Sequence, residues 1–230
     1  MTTLLDKTYE EKIQEELEIM KAFLRNRLKI KDLPQDEKRL KDLVREIFYS
    51  EMRTEEDAIL SISSHRCSHR EDTMNLFLHL NKLTPQANSF LDLGAGSGYV
   101  LRCALRVNYY AAGVEITPYY ANIAKELLTR FNYDPNRIIE ADFLKEAFKD
   151  KDLAGKTLKE YDLVHLWPVQ KVVFQALPKI LPEMKSGAIL ITAFENPFDE
   201  KEITDYLNAR KLSAKVVSYN CRGNFFIQRD

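Results

Sequence analysis

Apolar residues recur at helical spacing through the first third of the chain. Two runs step by three and four residues, which places the apolar side chains of each run on one face of a helix. The members are Ile13, Leu17, Met20, Leu24 and Leu28 in the first run, and Leu40, Leu43, Val44 and Ile47 in the second. Thr54 is a predicted N-cap of a short third helix, and the capping-box pattern from Ser68 to Glu71 opens a fourth. Residues 1–83 contain no glycine, and we predict that they form a helical N-terminal extension.

From about residue 86, short apolar runs alternate with helical patterns, which indicates a mostly parallel α/β sheet. The predicted strands are 89–93, 110–115, 137–141, 161–166, a fifth that begins at Gly187, 212–219 and 223–229. The predicted helices run from Gly98 to about Val107, from Thr117 and Pro118 to about Phe131, from Pro168 toward Met184, and over about 199–209. Only a short loop joins the last two strands, which leaves no room for a helical crossover. The last strand is therefore predicted to run antiparallel to its neighbour.

The most informative segment is the run Phe-Leu-Asp-Leu-Gly-Ala-Gly-Ser-Gly at residues 90–98. Glycines at alternate positions let the backbone adopt positive φ and let a ligand approach the main chain, and the following helix presents free N–H groups. Glu115 ends the next apolar run, about 20 residues further on. The alternative is an ordinary strand, turn and helix without a ligand. The candidate ligands are a dinucleotide and S-adenosylmethionine. The dinucleotide-binding motif has a third glycine at the position of Tyr99, so its absence here favours S-adenosylmethionine.

The segment Leu91 to Gly98 resembles the first motif of the class I S-adenosylmethionine-dependent methyltransferases. The order of elements from about residue 86 onward also resembles the fold of that family. That fold is an α/β architecture with a Rossmann-like, seven-stranded, mostly parallel sheet and a C-terminal antiparallel β-hairpin. The resemblance implies an enzyme domain over residues 84–230 whose cofactor is S-adenosyl-L-methionine. It does not extend to residues 1–83.

The resemblance also implies where the cofactor is held, since ligands of an open parallel sheet lie beyond the carboxyl ends of the strands. The glycines are expected to pass close to the methionine part of the cofactor. Asp92 is expected to help hold the amino group of the cofactor, directly or through water, although it could instead order the loop through backbone N–H groups. Glu115 can accept from both ribose hydroxyls, and the alternative for it is a solvated acid. Ile116 is expected to cover one face of the adenine.

Asp142 and Phe143 follow the third predicted strand, where the family commonly has an acid that accepts from the adenine amino group. The N–H of Phe143 could reach a ring nitrogen of the adenine. Asp142 could instead cap a helix that begins at Phe143. The complete set of predicted cofactor-binding residues is Asp92, Gly94, Ala95, Gly96, Gly98, Glu115, Ile116, Asp142, Phe143 and Leu166.

The fourth predicted strand leads to Trp167, the only tryptophan of the chain. When the segment is aligned by Pro168, Trp167 stands where methyltransferases of base amines have Asp or Asn, and Gln170 stands where they have an aromatic residue. Trp167 is therefore the predicted catalytic-site residue, and its face could line the channel to the methyl group or contact a cation. The alternative is packing against the cofactor or the core. An indole can donate but cannot accept a hydrogen bond, so no DNA or RNA base-amine substrate is expected. His165, inside a buried strand, is predicted to be a core histidine rather than a base.

The segment before the fourth helix contains His65, Cys67 and His69. It offers no fourth ligand at a spacing usual for zinc, so no metal is expected. Arg66, His69 or Arg70 could pair with the carboxylate of the cofactor, and the alternative is a solvated basic turn.

Composition narrows the function classes. With 34 basic and 35 acidic residues the net charge is −1, which gives no phosphate-binding footprint. No apolar run approaches the roughly 18 residues of a membrane span, and the polar, acid-rich first 18 residues carry no secretory signal pattern. The three cysteines are widely spaced, as in reduced proteins. We therefore expect a cytoplasmic protein without a membrane span.

Taken together, the residues and the resemblance predict a methyltransferase whose acceptor is a protein side-chain amine, that of lysine. The expected methyl site is aromatic, and the N-terminal helices could form a groove for a peptide. A small-molecule acceptor is the first alternative. The second is a catalytically inactive scaffold that retains the cofactor site. Oligomeric state is not encoded in any of these patterns.

Overall fold

The strands form one seven-stranded sheet in a computed structural model that describes residues 9–49, 70–166, 170–193, 200–219 and 224–230. The strands are β1 (Ser89–Leu93), β2 (Tyr110–Glu115), β3 (Ile138–Glu140), β4 (Leu163–Leu166), β5 (Ile189–Ala193), β6 (Ala214–Tyr219) and β7 (Asn224–Arg229). Their order across the sheet is β3-β2-β1-β4-β5-β7-β6. The first five are parallel to one another, whereas β7 runs antiparallel to both β5 and β6. The predicted mostly parallel sheet and its antiparallel C-terminal hairpin are confirmed.

The helices lie on both faces of this sheet. They are α1 (Tyr9–Leu28), α2 (Glu37–Tyr49), α3 (Arg70–Leu83), α4 (Tyr99–Arg106), α5 (Pro118–Arg130), α6 (Gln170–Ile180) and α7 (Glu200–Ala209). The helix predicted to run toward Met184 changes at Leu181 into a short 3-10 turn, where Pro182 has no N–H to continue the helix. The predicted caps at Thr54 and Ser68 lie outside the described residues. None of the described helices is long and apolar enough to cross a membrane.

The N-terminal helices share one apolar core with the sheet. The predicted apolar stripe of α1 is buried at Leu17, Met20 and Leu24 and partly buried at its ends. A row of phenylalanines continues inward from this stripe, with ring centroids 5.4–5.9 Å apart. Its members are Phe23 of α1, Phe48 of α2, Phe77 of α3 and Phe90 of β1. Apolar contacts therefore cross the domain boundary predicted between residues 83 and 84.

A buried arginine fastens the end of α1 to the segment that leads into β1. The guanidinium of Arg27 donates to the carbonyl of Pro85 at 3.4 Å and to that of Ala87, and it lies 4.0 Å from the ring centroid of Tyr109. Burial lowers the pKa of Arg27 and raises the pKa of Tyr109 to about 12, because burial disfavours the charged form of each group. Tyr109 is thus neutral, and its ring faces a cation.

The opposite face of the sheet is covered by α6 and α7. The residues of this second core alternate with those of the first along each strand, as a pleated sheet requires. They include Leu91 and Leu93 of β1, Val114 of β2, Leu166 of β4, Val173 and Leu177 of α6, and Ile203 and Leu207 of α7. The central strands are therefore buried on both sides.

Asp162 joins the beginnings of β1 and β4. Its Oδ2 accepts from the N–H groups of Asn88 and Ser89 at 2.8 and 2.9 Å and from the Ser89 hydroxyl at 2.8 Å, while its Oδ1 accepts from the ammonium of Lys185. Burial alone would raise the pKa of Asp162. The ammonium and the three neutral donors outweigh burial and hold the pKa below its ordinary value.

We expect Asp162→Asn to lower the free energy of unfolding by about 1.5–3 kcal/mol at neutral pH, the range for hydrogen bonds to a charged group. Since the folded-state pKa lies below the ordinary value of 3.8, this stabilisation is complete above the unfolded-state pKa and is lost as the pH falls through the folded-state pKa. Urea unfolding should thus give a constant difference in the free energy of unfolding between variant and wild type near neutral pH. That difference should shrink below about pH 4.

The matched control is Asp205→Asn, which removes an exposed carboxylate 2.5 Å from Lys201. Exposed pairs contribute little, so this variant should follow the wild type at every pH. A deficit in Asp162→Asn that persists undiminished in acid would contradict the assignment of the stabilisation to the ionised carboxylate.

Candidate functional site

The predicted site residues lie at or after the carboxyl ends of four parallel strands, along one edge of the sheet. Leu93, the last residue of β1, is in register with Val114 of β2 and with Leu166 of β4, and Glu115 of β2 is in register with Glu140 of β3. The segments that follow these strands therefore leave the sheet side by side, at the edge where parallel sheets bind ligands.

The loop between β1 and α4 has the conformation that only glycine adopts freely. Gly94, Gly96 and Gly98 have φ of 83°, 55° and 75°. The N–H groups of Gly94 and Ala95 donate to the carbonyl of Val114 at 2.8 and 3.0 Å, so the loop is bound to β2.

The glycines of this loop differ in the space around their Cα atoms. A Cβ on Gly96 would meet no atom within 4 Å, so the space over this residue is open. A Cβ on Gly98 would lie 3.3 Å from the Cβ of Ala124 in α5. Gly96 therefore fits the predicted close approach of a ligand, whereas the lack of a side chain at Gly98 lets the loop lie close to Ala124 of α5.

Glu115 is buried, with an exposure of 7%. Its Oε2 accepts from the N–H of Gly96 at 2.9 Å, and its Oε1 accepts from the N–H of Thr117 at 2.9 Å. The alternative of a solvated surface acid is therefore wrong. A carboxylate can accept about four hydrogen bonds, so two accepting positions remain beyond those that hold the two loops.

Asp92 contacts a neighbouring strand rather than the glycine loop. Its Oδ1 lies 2.7 Å from Nδ1 of His165, and the two side chains are 3% and 2% exposed. The described residues give Asp92 no hydrogen bond to the loop N–H groups, so the alternative that it orders the loop in that way is not supported. His165 is a buried core histidine with a polar partner, as predicted.

Asp142 begins a turn, and the helix considered for Phe143 does not form there. The Oδ1 of Asp142 accepts from the N–H of Leu144 at 2.9 Å, and a 3-10 turn follows only at Glu146–Phe148. Phe143 is nearly buried in the second core. Asp142 is linked to the site through the N–H of Ala141, which donates to the carbonyl of Glu115 at 3.1 Å.

Two large apolar side chains are exposed directly after Glu115. Ile116 is 57% exposed and Tyr119 is 63% exposed, and the Tyr119 ring lies 5.5 Å from that of Tyr120. Ile116 is thus accessible, as its predicted contact with a ligand requires. Tyr119 carries no signal in the sequence beyond its closeness to Glu115.

Two further residues shape the glycine loop, and sequence analysis did not identify them. A Cβ on Gly113 would lie 2.9 Å from the Cβ of Ala95 and 2.9 Å from Cδ1 of Ile138, so β2 must have a glycine there for the loop to approach. The fully buried Arg102 donates from Nη1 to the carbonyl of Ser97 at 2.9 Å. A glycine inside a strand is a recognised sign of close backbone approach, whereas nothing local distinguishes Arg102.

Of the remaining predicted site residues, Leu166 lies in the core and others fall outside the described residues. The side chain of Leu166 is wholly buried in the second core, so only its main chain could reach a ligand at the edge. Trp167 and the segment from Ser64 to His69 lie outside the described residues. Within the parts of the chain that the structure describes, no three His, Cys, Asp or Glu side chains are grouped as a metal site would require.

No family model and no curated protein matches the sequence of this chain. Solved structures do share its fold. A Staphylococcus aureus protein described as a caffeoyl-CoA O-methyltransferase superposes with a TM-score of 0.54 and 16% identity, over 83% of this chain and 96% of that one. An amino pentose methyltransferase from Micromonospora echinaspora, solved with S-adenosylmethionine, gives a TM-score of 0.50 and 13% identity, over 72% and 92%.

A ribosomal protein methylase from Lactobacillus delbrueckii subsp. bulgaricus gives a TM-score of 0.50 and 13% identity, over 70% of this chain and 80% of that one. At such identities the likeness establishes the fold and nothing finer. The chain has the class I methyltransferase fold that its sequence predicted.

Proposed function

We propose that this protein is an S-adenosylmethionine-dependent methyltransferase. The observation that carries the proposal is Glu115, a buried carboxylate held by two backbone N–H groups beside a glycine loop with open space over Gly96. A ribose diol needs two acceptors at one place, and Glu115 has that capacity. The fold, shared with solved methyltransferases, supports the same conclusion.

The described residues fit the parts of this cofactor. Glu115 would accept from the ribose hydroxyls, and the exposed Ile116 would cover the adenine. Asp142 would accept from the adenine amino group with the oxygen that does not hold Leu144. The loop Gly94–Gly98, with Ala95 inside it, would follow the methionine part, with Gly96 at the closest approach.

The chemistry that this fit supports is in-line displacement. When bound, the cofactor supplies a methyl group on a sulfonium that is already activated for transfer. The tasks left for the protein are to bind, to align the acceptor and to exclude water, and these do not require a strong general base. His165 agrees with this division, since its Nδ1 is engaged by Asp92 and its ring is buried.

For the acceptor we propose the amine of a protein lysine. The support is the aromatic Trp167 at the expected methyl site, which cannot orient an amine by accepting from it, and the near-neutral charge of the chain. The alternative is a small-molecule acceptor, and the solved proteins that share the fold include both a ribosomal protein methylase and an amino pentose methyltransferase. The described N-terminal helices bury their apolar faces in the core, so they do not by themselves favour a peptide groove.

The direct test is transfer of tritiated methyl from S-adenosylmethionine into a cell extract that is then separated into protein, nucleic acid and small molecules. We expect label in protein, at lysine after hydrolysis. Label in the small-molecule fraction alone would support the alternative acceptor class. Label in base amines of DNA or RNA would refute the acceptor proposal, and absence of transfer together with cofactor binding would indicate a scaffold.

Glu115→Gln should weaken binding of S-adenosylhomocysteine by about 1.5–3 kcal/mol, the range for hydrogen bonds to a charged group. Because the new amide also faces the N–H of Gly96 or Thr117, some of this loss will come from the loop. Calorimetry with the 2′-deoxyribosyl analogue separates the two contributions, since a direct contact makes loss of the hydroxyl matter less in the variant than in the wild type.

The matched control is Glu140→Gln, the same substitution at the exposed glutamate in register with Glu115 on β3. It should leave both affinities unchanged. If removal of the ribose hydroxyl weakens binding equally in the wild type and in Glu115→Gln, Glu115 does not contact the ribose.

Gly113→Ala should displace Ala95 and with it the glycine loop, since the new Cβ would lie 2.9 Å from that of Ala95. We expect a loss of about 1–3 kcal/mol in stability, as for other overpacked sites, together with weaker binding of S-adenosylhomocysteine. Gly187→Ala is the comparison, because Gly187 has φ of 78° and open surroundings far along the chain. That variant should lose stability through strain but keep its affinity. Undiminished affinity in Gly113→Ala would show that the loop does not depend on this contact.

A further inference from the structure

The acidic and imidazole side chains of the central strands all lie where those strands end. Asp92 is next to last in β1, Glu115 is last in β2, and His165 is next to last in β4. All three are buried. Glu115 has a place in the proposed cofactor site, whereas Asp92 and His165 pair with each other.

The pair is fixed in two directions. Asp92 and His165 are in register on adjacent strands, with 2.7 Å between Oδ1 and Nδ1. The face of the imidazole lies against the Phe90 ring, with 6.0 Å between centroids and 25° between planes. Phe90 sets the plane of the imidazole, and the carboxylate sets which nitrogen points toward β1. Because a carboxylate oxygen only accepts, the short contact makes Nδ1 the donor to Asp92.

A contribution to folding stability is a weak explanation for the buried pair of Asp92 and His165. A buried ionic or polar pair is often no more stabilising than apolar side chains of the same volume, and its neighbours in both cores are apolar. A buried carboxylate at the ligand-binding edge, by contrast, supplies a negative charge in a water-poor place where a cation is to be bound.

We propose that His165 is a positioning residue, which holds the Asp92 carboxylate turned so that its second oxygen receives the ammonium group of S-adenosylmethionine. This inference rests on the proposed function and assigns a role to a side chain that the reaction does not otherwise use. His165 acts through Asp92 and does not touch the cofactor itself.

Two substitutions separate donation from packing. In His165→Asn, the N–H donor is bonded to Cγ, as Nδ1 is in histidine, but side-chain volume is lost. His165→Leu keeps the volume of the side chain but loses the donor. Two ligands separate the ammonium contact from the rest of the site, since S-adenosylhomocysteine carries the amino group and 5′-methylthioadenosine lacks it. Calorimetry of both ligands with wild type and both variants gives the test, with thermal unfolding recorded for each protein.

We expect His165→Leu to bind S-adenosylhomocysteine about ten- to hundredfold more weakly, the range for a lost hydrogen bond to a charged group, and to bind 5′-methylthioadenosine normally. His165→Asn should keep the affinity for both ligands even if its melting temperature falls. Equal weakening for both ligands, or none for either, would overturn the proposal, as would a His165→Asn variant as weak as His165→Leu.

If His165→Leu does not fold because Asp92 is left buried without a partner, Asp92→Asn combined with His165→Leu removes the buried charge. That double variant should show the same selective loss for S-adenosylhomocysteine, and full affinity in it would again overturn the proposal. A wild type that binds neither ligand would instead refute the proposed function, and this inference with it.

Discussion

A single carboxylate holds together the two loops on which the site depends. Glu115 takes one N–H from the glycine loop and one from the residue that opens α5, and it does so while buried. The distance between the loops is set by the same strand, because Gly113 lets Ala95 approach β2 more closely than any larger residue could. The relative placement of these two loops therefore depends on one side chain.

The N-terminal helices belong to the same physical unit as the site. The phenylalanine row from Phe23 to Phe90 ends on the imidazole of His165, so packing within the helical extension fixes a side chain at the carboxyl end of β4. Buried Arg27 adds a polar link between α1 and the entry to β1. An extension that were only an appended interaction module would bury its apolar stripe within itself. Here Phe77 of α3 packs on Phe90 of β1, so removing the extension would expose Phe90 to water.

Sequence predicted the elements whose signals are local. Periodicity located the strands and helices, and the short loop before the last strand indicated its antiparallel direction. The role of Glu115 as a buried link was not accessible, because residue type and spacing do not report burial. The contact of Asp92 with His165 joins residues 73 positions apart and depends on which strands become neighbours. At Asp142 the local signal was misleading, since a side chain that accepts from an N–H two residues on serves a turn as well as a helix cap.

The distribution of charge along the edge follows what methyl transfer to an amine would require. Buried carboxylates end β1 and β2, where a cationic cofactor would be held, whereas β4 ends in Leu166 and leads to Trp167. An amine attacks only when it has lost its proton, and a nearby carboxylate would favour the ammonium form, while an apolar aromatic wall disfavours it. His165 of β4 donates to Asp92 of β1 and so links these two strands. Under the proposed function, the carboxylates on β1 and β2 would thus lie beside the cationic cofactor.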